Sequence, residues 1–416
     1  MKVVEGTRRA EILDAAAQLF ATRGIRTSLR DIADACGIFA GSLYHHFDSK
    51  EAIVVELVRQ YVADLDRVAA SVVAPSSGTA DGLIDAIEQL GTAIAGCAVR
   101  HRAALLLTYF EPPSVFGTEP ADLAVRAPVA ITEAMHQLVA RVADAGLLRP
   151  GLDGHVLADR LCESMLHVGI GLYHRNKAAQ QVPALKCRML LRGLTARAPA
   201  EGDLDRSTAR TAADAVIAAW PPRAGDGDRA APVLAAARAE FGRRGYEATT
   251  IRDVAAAAGT SVKTVYRLVA SKEDLLLAVL DAYVTSLTDG WEAVLRSDAS
   301  PIEKLDALLW LDVNILERFS EEHRIQSVSL QHAPPTSPDL GLSFPSQLRR
   351  TRALLAAADD AGELRPFPAS ADVRSRCVFS LIWTPQRAIH RLGTHGAHRF
   401  ARATLLRGAT TEGTTR

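Results

Sequence analysis

The feature that most constrains this chain is a repeat. Residues Ser28–Lys50 read SLRDIADACGIFAGSLYHHFDSK, and the same pattern returns about 221 residues later, with one extra residue in the loop before Ile251. Each copy reads as a short helix, a tight turn, a second helix and the capped start of a third. In the first copy Ser28 suits an N-cap, which predicts a helix over Leu29–Cys36 with Leu29, Ile32, Ala33 and Cys36 on one face. Gly37 stands where that helix must end, because glycine enters the left-handed conformation without a steric penalty. A second helix is predicted over about Ala40–Phe47, with Leu43 and Phe47 inward and Ser42, Tyr44, His45 and His46 outside. Asp48 and Ser49 then cap a long helix that starts at Lys50.

Two short helices joined by a glycine turn form a helix-turn-helix, whose second helix can enter a DNA major groove. Arg8–Leu57 resembles the DNA-binding domain of TetR/AcrR-type transcriptional regulators at Leu13–Phe20, Arg23-Gly24, Leu29–Ala33, Gly37, Leu43-Tyr44, Phe47 and Ser49–Glu51. Arg229–Leu280 repeats the pattern at Leu234–Phe241, Arg244-Gly245, Ile251–Ala255, Gly259, Val265-Tyr266 and Ser271–Glu273. The loop from Gly24 to Leu29 is one residue shorter than the usual family pattern. Downstream, Gly146-Leu147-Leu148-Arg149-Pro150 is echoed by Gly362-Glu363-Leu364-Arg365-Pro366, so the whole regulator is duplicated.

Composition agrees with two helical units. At 416 residues each half can bury its own core, aromatics are only 5%, and no strand-like alternation persists, so the predicted class is all-α. The formal net charge of zero gives no support to nonspecific nucleic-acid binding, although a localised basic face remains compatible with it. Five cysteines without a CxxC pair read naturally as thiols of a reducing cytoplasm. Met1–Arg9 has no apolar core and no uncharged run approaches about 18 residues, so neither export nor membrane spanning is expected.

The boundaries follow from these elements. The expected domains are 1–49 and 229–271 for the two helix-turn-helix heads, 50–199 and 272–408 for the two helical ligand-binding and dimerisation bodies, 200–228 for an extra helix and linker, and 409–416 for a fraying tail. Body helices are expected at 50–71, 81–97, 102–110, 126–145, 153–174 and 183–195, then at 272–295, 301–319, 347–361, 371–391 and 397–407.

By position in the motif, the resemblance assigns DNA contact to Ser28, Arg30, Gly41, Ser42, Tyr44, His45 and Lys50 in the first head. In the second it assigns Thr249, Thr250, Arg252, Lys263, Thr264, Tyr266, Arg267 and Lys272. Tyr44, Tyr266, Lys50 and Lys272 suit phosphate oxygens, while Ser42, Thr264, His45 and Arg267 can reach base edges. The plainer reading is a solvated polar face; Val269 in place of Phe47 favours it mildly for the second head. Family resemblance also implies a ligand pocket, with candidate liners Tyr109, Phe110, Phe116, Met135, Met165 and His167, and in the second half Trp310, Phe319, Phe344, Phe379 and Trp383. Each is equally a core residue by type.

No metal or cofactor is assigned. His390, His395 and His398 are close in sequence, but Gly393, Thr394 and Gly396 look like a turn and no cysteine or carboxylate is interleaved. His167 and His174 read as core or interface histidines. No G-x-S-x-G elbow, phosphate-cradling loop or HExxH occurs, so no enzyme is expected. The reading is a cytoplasmic regulator that binds double-stranded operator DNA, released by an apolar or amphipathic effector. An alternative is an interaction protein in which only the first head meets DNA. On the first reading Tyr44→Phe weakens binding to every DNA sequence by about 1 kcal/mol, whereas Ser42→Ala or His45→Ala relaxes preference at particular base pairs. Mobility shifts on an operator and its point variants separate the two effects.

Overall fold

The protein is described here by a computed structural model covering residues 2–24, 27–71, 79–110, 128–170, 180–220, 230–246, 248–332 and 343–411. Every regular element among these residues is helical. The first head comprises α1 (Lys2–Arg23), α2 (Leu29–Ala35) and α3 (Ala40–Leu43), and α4 (Lys50–Ala70) connects it to the body. The first body holds α5 (Ala80–Arg100), α6 (Arg102–Phe110), α7 (Val129–Asp144), α8 (Gly154–Ile170) and α9 (Val182–Arg192). Then come α10 (Glu201–Asp205) and α11 (Thr208–Ala219). The second head is α12 (Ala231–Arg244), α13 (Ile251–Ala257) and α14 (Val262–Leu268), with connector α15 (Lys272–Arg296). Its body is α16 (Pro301–Arg318), α17 (Ser320–His332), α18 (Ser343–Asp360), α19 (Ala371–Ile382) and α20 (Gln386–Arg402), ending in a π-turn at Ala403–Arg407.

The heads repeat down to their hydrogen bonds. Ser28 caps α2 and receives Asp31 in return, and Thr250 and Asp253 form the same reciprocal box on α13. Gly37 and Gly259 end those helices at φ of 64° and 62°. The second helices differ. Ser261 caps α14, its hydroxyl accepting from the Thr264 N–H at 3.1 Å, and α14 runs seven residues. Phe39 offers no acceptor, and α3 closes after four residues into a turn through His46, shorter than the predicted Ala40–Phe47.

Three further expectations are corrected. A helix over Ser320–His332 escaped the pattern because its periodicity is weak; Ile325 from it completes the second head's core. The expected single helix over 371–391 breaks between Trp383 and Gln386, where Pro385 cannot donate a main-chain bond, and α20 kinks again at Gly393 (φ 69°). The tail is ordered at least to Thr411 and Ala409 is fully buried. Helix α5 is long and apolar enough to cross a membrane by length and composition, yet its faces pack on α4, α7, α8 and α9.

The two bodies meet across a pseudo-two-fold seam. Leu194 N–H donates to the Leu405 carbonyl at 2.8 Å and Ala409 N–H to Leu190 at 2.9 Å; Thr195 N–H reaches Leu406 at 3.1 Å and Thr410 N–H reaches Leu191 at 2.9 Å. The GLLRP and GELRP turns complete the exchange. Arg149 N–H bonds the Ala409 carbonyl at 2.8 Å and its guanidinium bonds Gly408 and Arg407 at 2.8 and 3.0 Å. Arg365 mirrors it, its main chain on Leu194 at 2.8 Å and its Nε on Thr195 at 2.9 Å. Leu190, Leu191, Leu405 and Leu406 are fully buried there, each contributing about 1.5–3 kcal/mol by removal from water.

Glycine is required at the crossing. Gly193 and Gly408 adopt φ of 76° and 85°, and a Cβ on either would stand 2.4 Å from the other segment's backbone. Gly193→Ala is therefore expected to cost about 2–4 kcal/mol, combining left-handed strain with a backbone clash. Gly146→Ala, at φ 71° with open space around it, carries the strain alone. Urea denaturation of both variants checks the difference.

Candidate nucleic-acid interface and interior recess

The capping boxes aim one face of each head outward. In the first head Ser28, Arg30, Gly41, Tyr44 and His45 are exposed, with Ser42 and Lys50 half-buried at its edge. In the second head Thr250, Arg252, Lys263, Tyr266 and Arg267 are exposed, with Thr264 and Lys272 half-buried. Tyr44 and Tyr266 stand 55% and 53% exposed, rings outward, at matching positions. Beneath, Leu43 and Val265 plug the cores. Arg9 lies 4.0 Å over the Phe47 ring, and Lys272 lies 4.2 Å over Tyr246, so each head carries a cation held against an aromatic face.

Thr249 is a correction. Its hydroxyl donates to the Gly245 and Glu240 carbonyls, at 2.8 and 3.1 Å, and its side chain is buried. It ties the end of α12 to the loop before α13 and presents nothing outward. Thr27 at the matching place in the first head is also buried, but its hydroxyl makes no such bonds. Phe39, absent from the predicted set, is 87% exposed at the start of α3.

The expected ligand liners divide. Met135 and Met165 have no accessible surface and Phe379 almost none, so they are core; Met165 packs on the Cys187 thiol and Phe379 on Trp291. Phe319 is buried between Trp220 and Tyr283. Trp310 faces the wrong way for a pocket: its indole N–H donates to Asp214 at 2.7 Å, Arg210 covers its ring, and His395 and His398 flank it. Phe110 and Phe344 lie where only the helix path is described, and Phe116 lies outside the described residues, as does His174. His398 is used structurally, 3.3 Å from Asp306, which also receives both arms of Arg402 at 2.7 and 2.8 Å.

Tyr109 and His167 come together. His167 Nε2 lies 2.9 Å from the Tyr109 hydroxyl, which also bonds Glu163 at 3.3 Å. The Tyr109 residue is 45% exposed, and the Glu163 and His167 side chains are 27% and 39% exposed. Burial is nevertheless the largest influence on each titration: it pushes Tyr109 and Glu163 up, and His167 down to about 3. The three side chains thus form a partly open, weakly solvated polar cluster. Groups of the second half lie near it, the Arg387 charge beside Glu163 and the His323 imidazole beside His167. Trp383, another expected liner, is half-buried and stacks on His323 at 4.6 Å. A separate cavity of about 340 Å³ lies at the seam, lined by Asp85, Glu88, Arg188, Arg192 and Arg365–Pro368. Its arginines are already engaged, Arg188 with Glu88 and Arg192 with Asp81.

The described pair of heads is matched by the family model for "Bacterial regulatory proteins, tetR family" at residues 12–57 and again at 233–279. The chain thus carries the TetR-family DNA-binding domain twice, in tandem. Among curated relatives it is similar to the HTH-type transcriptional repressor KstR2 of Rhodococcus jostii, 64% identical over 59 residues, which is 14% of this chain and 29% of that protein. KstR2 of Mycobacterium tuberculosis is 58% identical over 57 residues, again 14% of this chain and 28% of that protein. The HTH-type regulator UidR of Escherichia coli is 35% identical over 85 residues, 20% of this chain and 42% of that protein. The match thus spans under a third of the KstR2 length and under half of UidR. A solved structure of Mycobacterium tuberculosis KstR2, a ketosteroid transcriptional regulator, aligns at TM-score 0.36 and 27% identity, over 42% of this chain and 89% of that one. These relatives are regulators of transcription, not enzymes.

The buried imidazoles make stability depend on pH. His323, bonded through Nδ1 to the Tyr283 hydroxyl at 2.9 Å, is pushed down by burial to about 4. A base whose folded pKa is depressed binds more protons unfolded, so stability present above pH 6.5 is lost as pH falls towards 4, by up to about 3 kcal/mol. Urea midpoints measured across that range should fall on acidification, and less steeply in His323→Gln.

Proposed function

We propose that this chain represses transcription as a single-chain pseudodimer, binding one operator through both heads and releasing it when a small effector fills the recess beside Tyr109. The observation that carries this reading is the reciprocal main-chain exchange around Gly193 and Gly408, which holds two complete head-and-body units against each other within one molecule. Tethering sets an effective concentration in about the millimolar range, well above ordinary protein levels, so pairing within the chain outcompetes pairing between chains. The recognition surfaces differ, Gly41-Ser42-Leu43-Tyr44-His45 in one head and Lys263-Thr264-Val265-Tyr266-Arg267 in the other. Two unlike half-sites are therefore read, about one helical turn apart. The exposed Lys263, Tyr266 and Arg267 support an active second head over a purely dimerising one.

The recess suits an apolar or amphipathic effector with one hydrogen-bonding group, which the Tyr109 hydroxyl, the His167 imidazole and the Glu163 carboxyl can meet. Tyr109 sits on α6, which packs against both α1 and connector α4. An effector that prefers one position of α6 thus biases head spacing, and release is a population shift. Effector and operator must then weaken one another by the same factor. Calorimetry of a candidate effector is expected to show it binding the operator complex more weakly than the free protein, by the same factor by which it weakens operator binding, and light scattering to show one chain per operator. Equal effector affinities in both titrations exclude that compound as an inducer. A two-chain particle on a symmetric site overturns the pseudodimer.

A further inference from the structure

The two recognition helices begin with opposite chemistry. Ser261 starts α14 and spends its hydroxyl on the cap; exposed Val262 and Lys263 follow it. Phe39 starts α3, makes no cap bond and stands 87% exposed, more open than any other large apolar side chain among the described residues. Forgoing the cap costs about 1 kcal/mol of local stability, and an exposed ring contributes nothing to the fold in return. The residues after it are Ala40 and Gly41, both exposed, and a Cβ at Gly41 would meet nothing within 4 Å. Small residues there leave the ring unobstructed and let this end of the helix approach a base pair closely.

We propose that Phe39 is a base-reading residue of the first head, its ring packing on the 5-methyl group of a thymine in the major groove. The N-terminal residues of a recognition helix are the ones that reach base edges, and thymine alone offers a methyl group there. Phe39 opens the same recognition segment that carries Ser42, Tyr44 and His45, so its occupant is the DNA those residues approach. The half-site under α3 then requires a thymine, a requirement the capped Ser261 does not impose under α14. This inference rests on the DNA-binding reading and adds to it the base that the first head selects.

The test uses the full chain. Selection from a random duplex pool defines the operator, and each thymine is then replaced singly by deoxyuridine, which deletes only the methyl group. Fluorescence anisotropy is expected to show one replacement in one half-site weakening the wild type about fourfold, the size of one buried methyl. Phe39→Ser restores the cap found at Ser261, so its fold is not at risk. It should bind the unmodified operator several-fold more weakly and be indifferent to that same replacement. Specific binding with no methyl-sensitive thymine, or sensitivity unchanged in Phe39→Ser, overturns the assignment and leaves DNA binding standing. A selection that enriches no sequence overturns both.

Discussion

The structure depends on one main-chain exchange. At Gly193 and Gly408 two segments cross so closely that neither tolerates a side chain, and each hands its N–H groups to the other's carbonyls. Arg149 and Arg365 lock the exchange from the turns that precede α8 and α19. Hydrogen bonds of this kind contribute modestly one at a time, about 0.5–1.5 kcal/mol net, but breaking the set would leave many buried polar groups unpaired. The seam is thus cooperative, and it fixes both bodies, and through α4 and α15 both connectors, in one frame.

The seam also places charge where a helical core alone would not. Arg160 of α8 is buried and crosses to the Leu381 carbonyl of α19 at 2.7 Å. Lys186 is buried and donates to the Ser164 carbonyl at 2.9 Å; burial pulls its pKa down to about 8. Asp312, bonded by the Thr384 N–H, is pushed well up by the same desolvation. Such groups are costly to bury and specify one arrangement over slid alternatives only when each finds its partner. The Tyr109–Glu163–His167 cluster lies beside this polar belt, Glu163 within reach of the Arg160 charge and His167 within reach of Lys186.

The heads show how one motif yields two surfaces. Their capping boxes and left-handed glycines are interchangeable, because backbone geometry demands them. The outward positions diverge, since the fold asks little of Gly41 against Lys263 or His45 against Arg267; Phe39 against Ser261 also trades away a helix cap. Head one shares a continuous core with its body, whereas head two has a core of its own, completed by Ile325. The half-buried Val269 at the Phe47 position accompanies that separation.

The helical class, the duplication, the heads and most of their outward residues were legible in the sequence, because caps, glycine turns and periodicity act over a few residues. Thr249 was misplaced because its partners, the Glu240 and Gly245 carbonyls, depend on how a loop closes. Among pocket candidates, Tyr109 and His167 were legible by type, but only packing separated them from Met135, Met165 and Trp310, since large apolar side chains serve core and pocket alike. The echo Leu190-Leu191-Arg192-Gly193-Leu194-Thr195 and Leu405-Leu406-Arg407-Gly408-Ala409-Thr410 stands in the sequence, a signal for the seam. That each copy pairs with the other, so that residues 408–411 clasp the first body, was decided by tertiary structure. Hydrogen bonds between segments more than 200 residues apart leave no local periodicity to read.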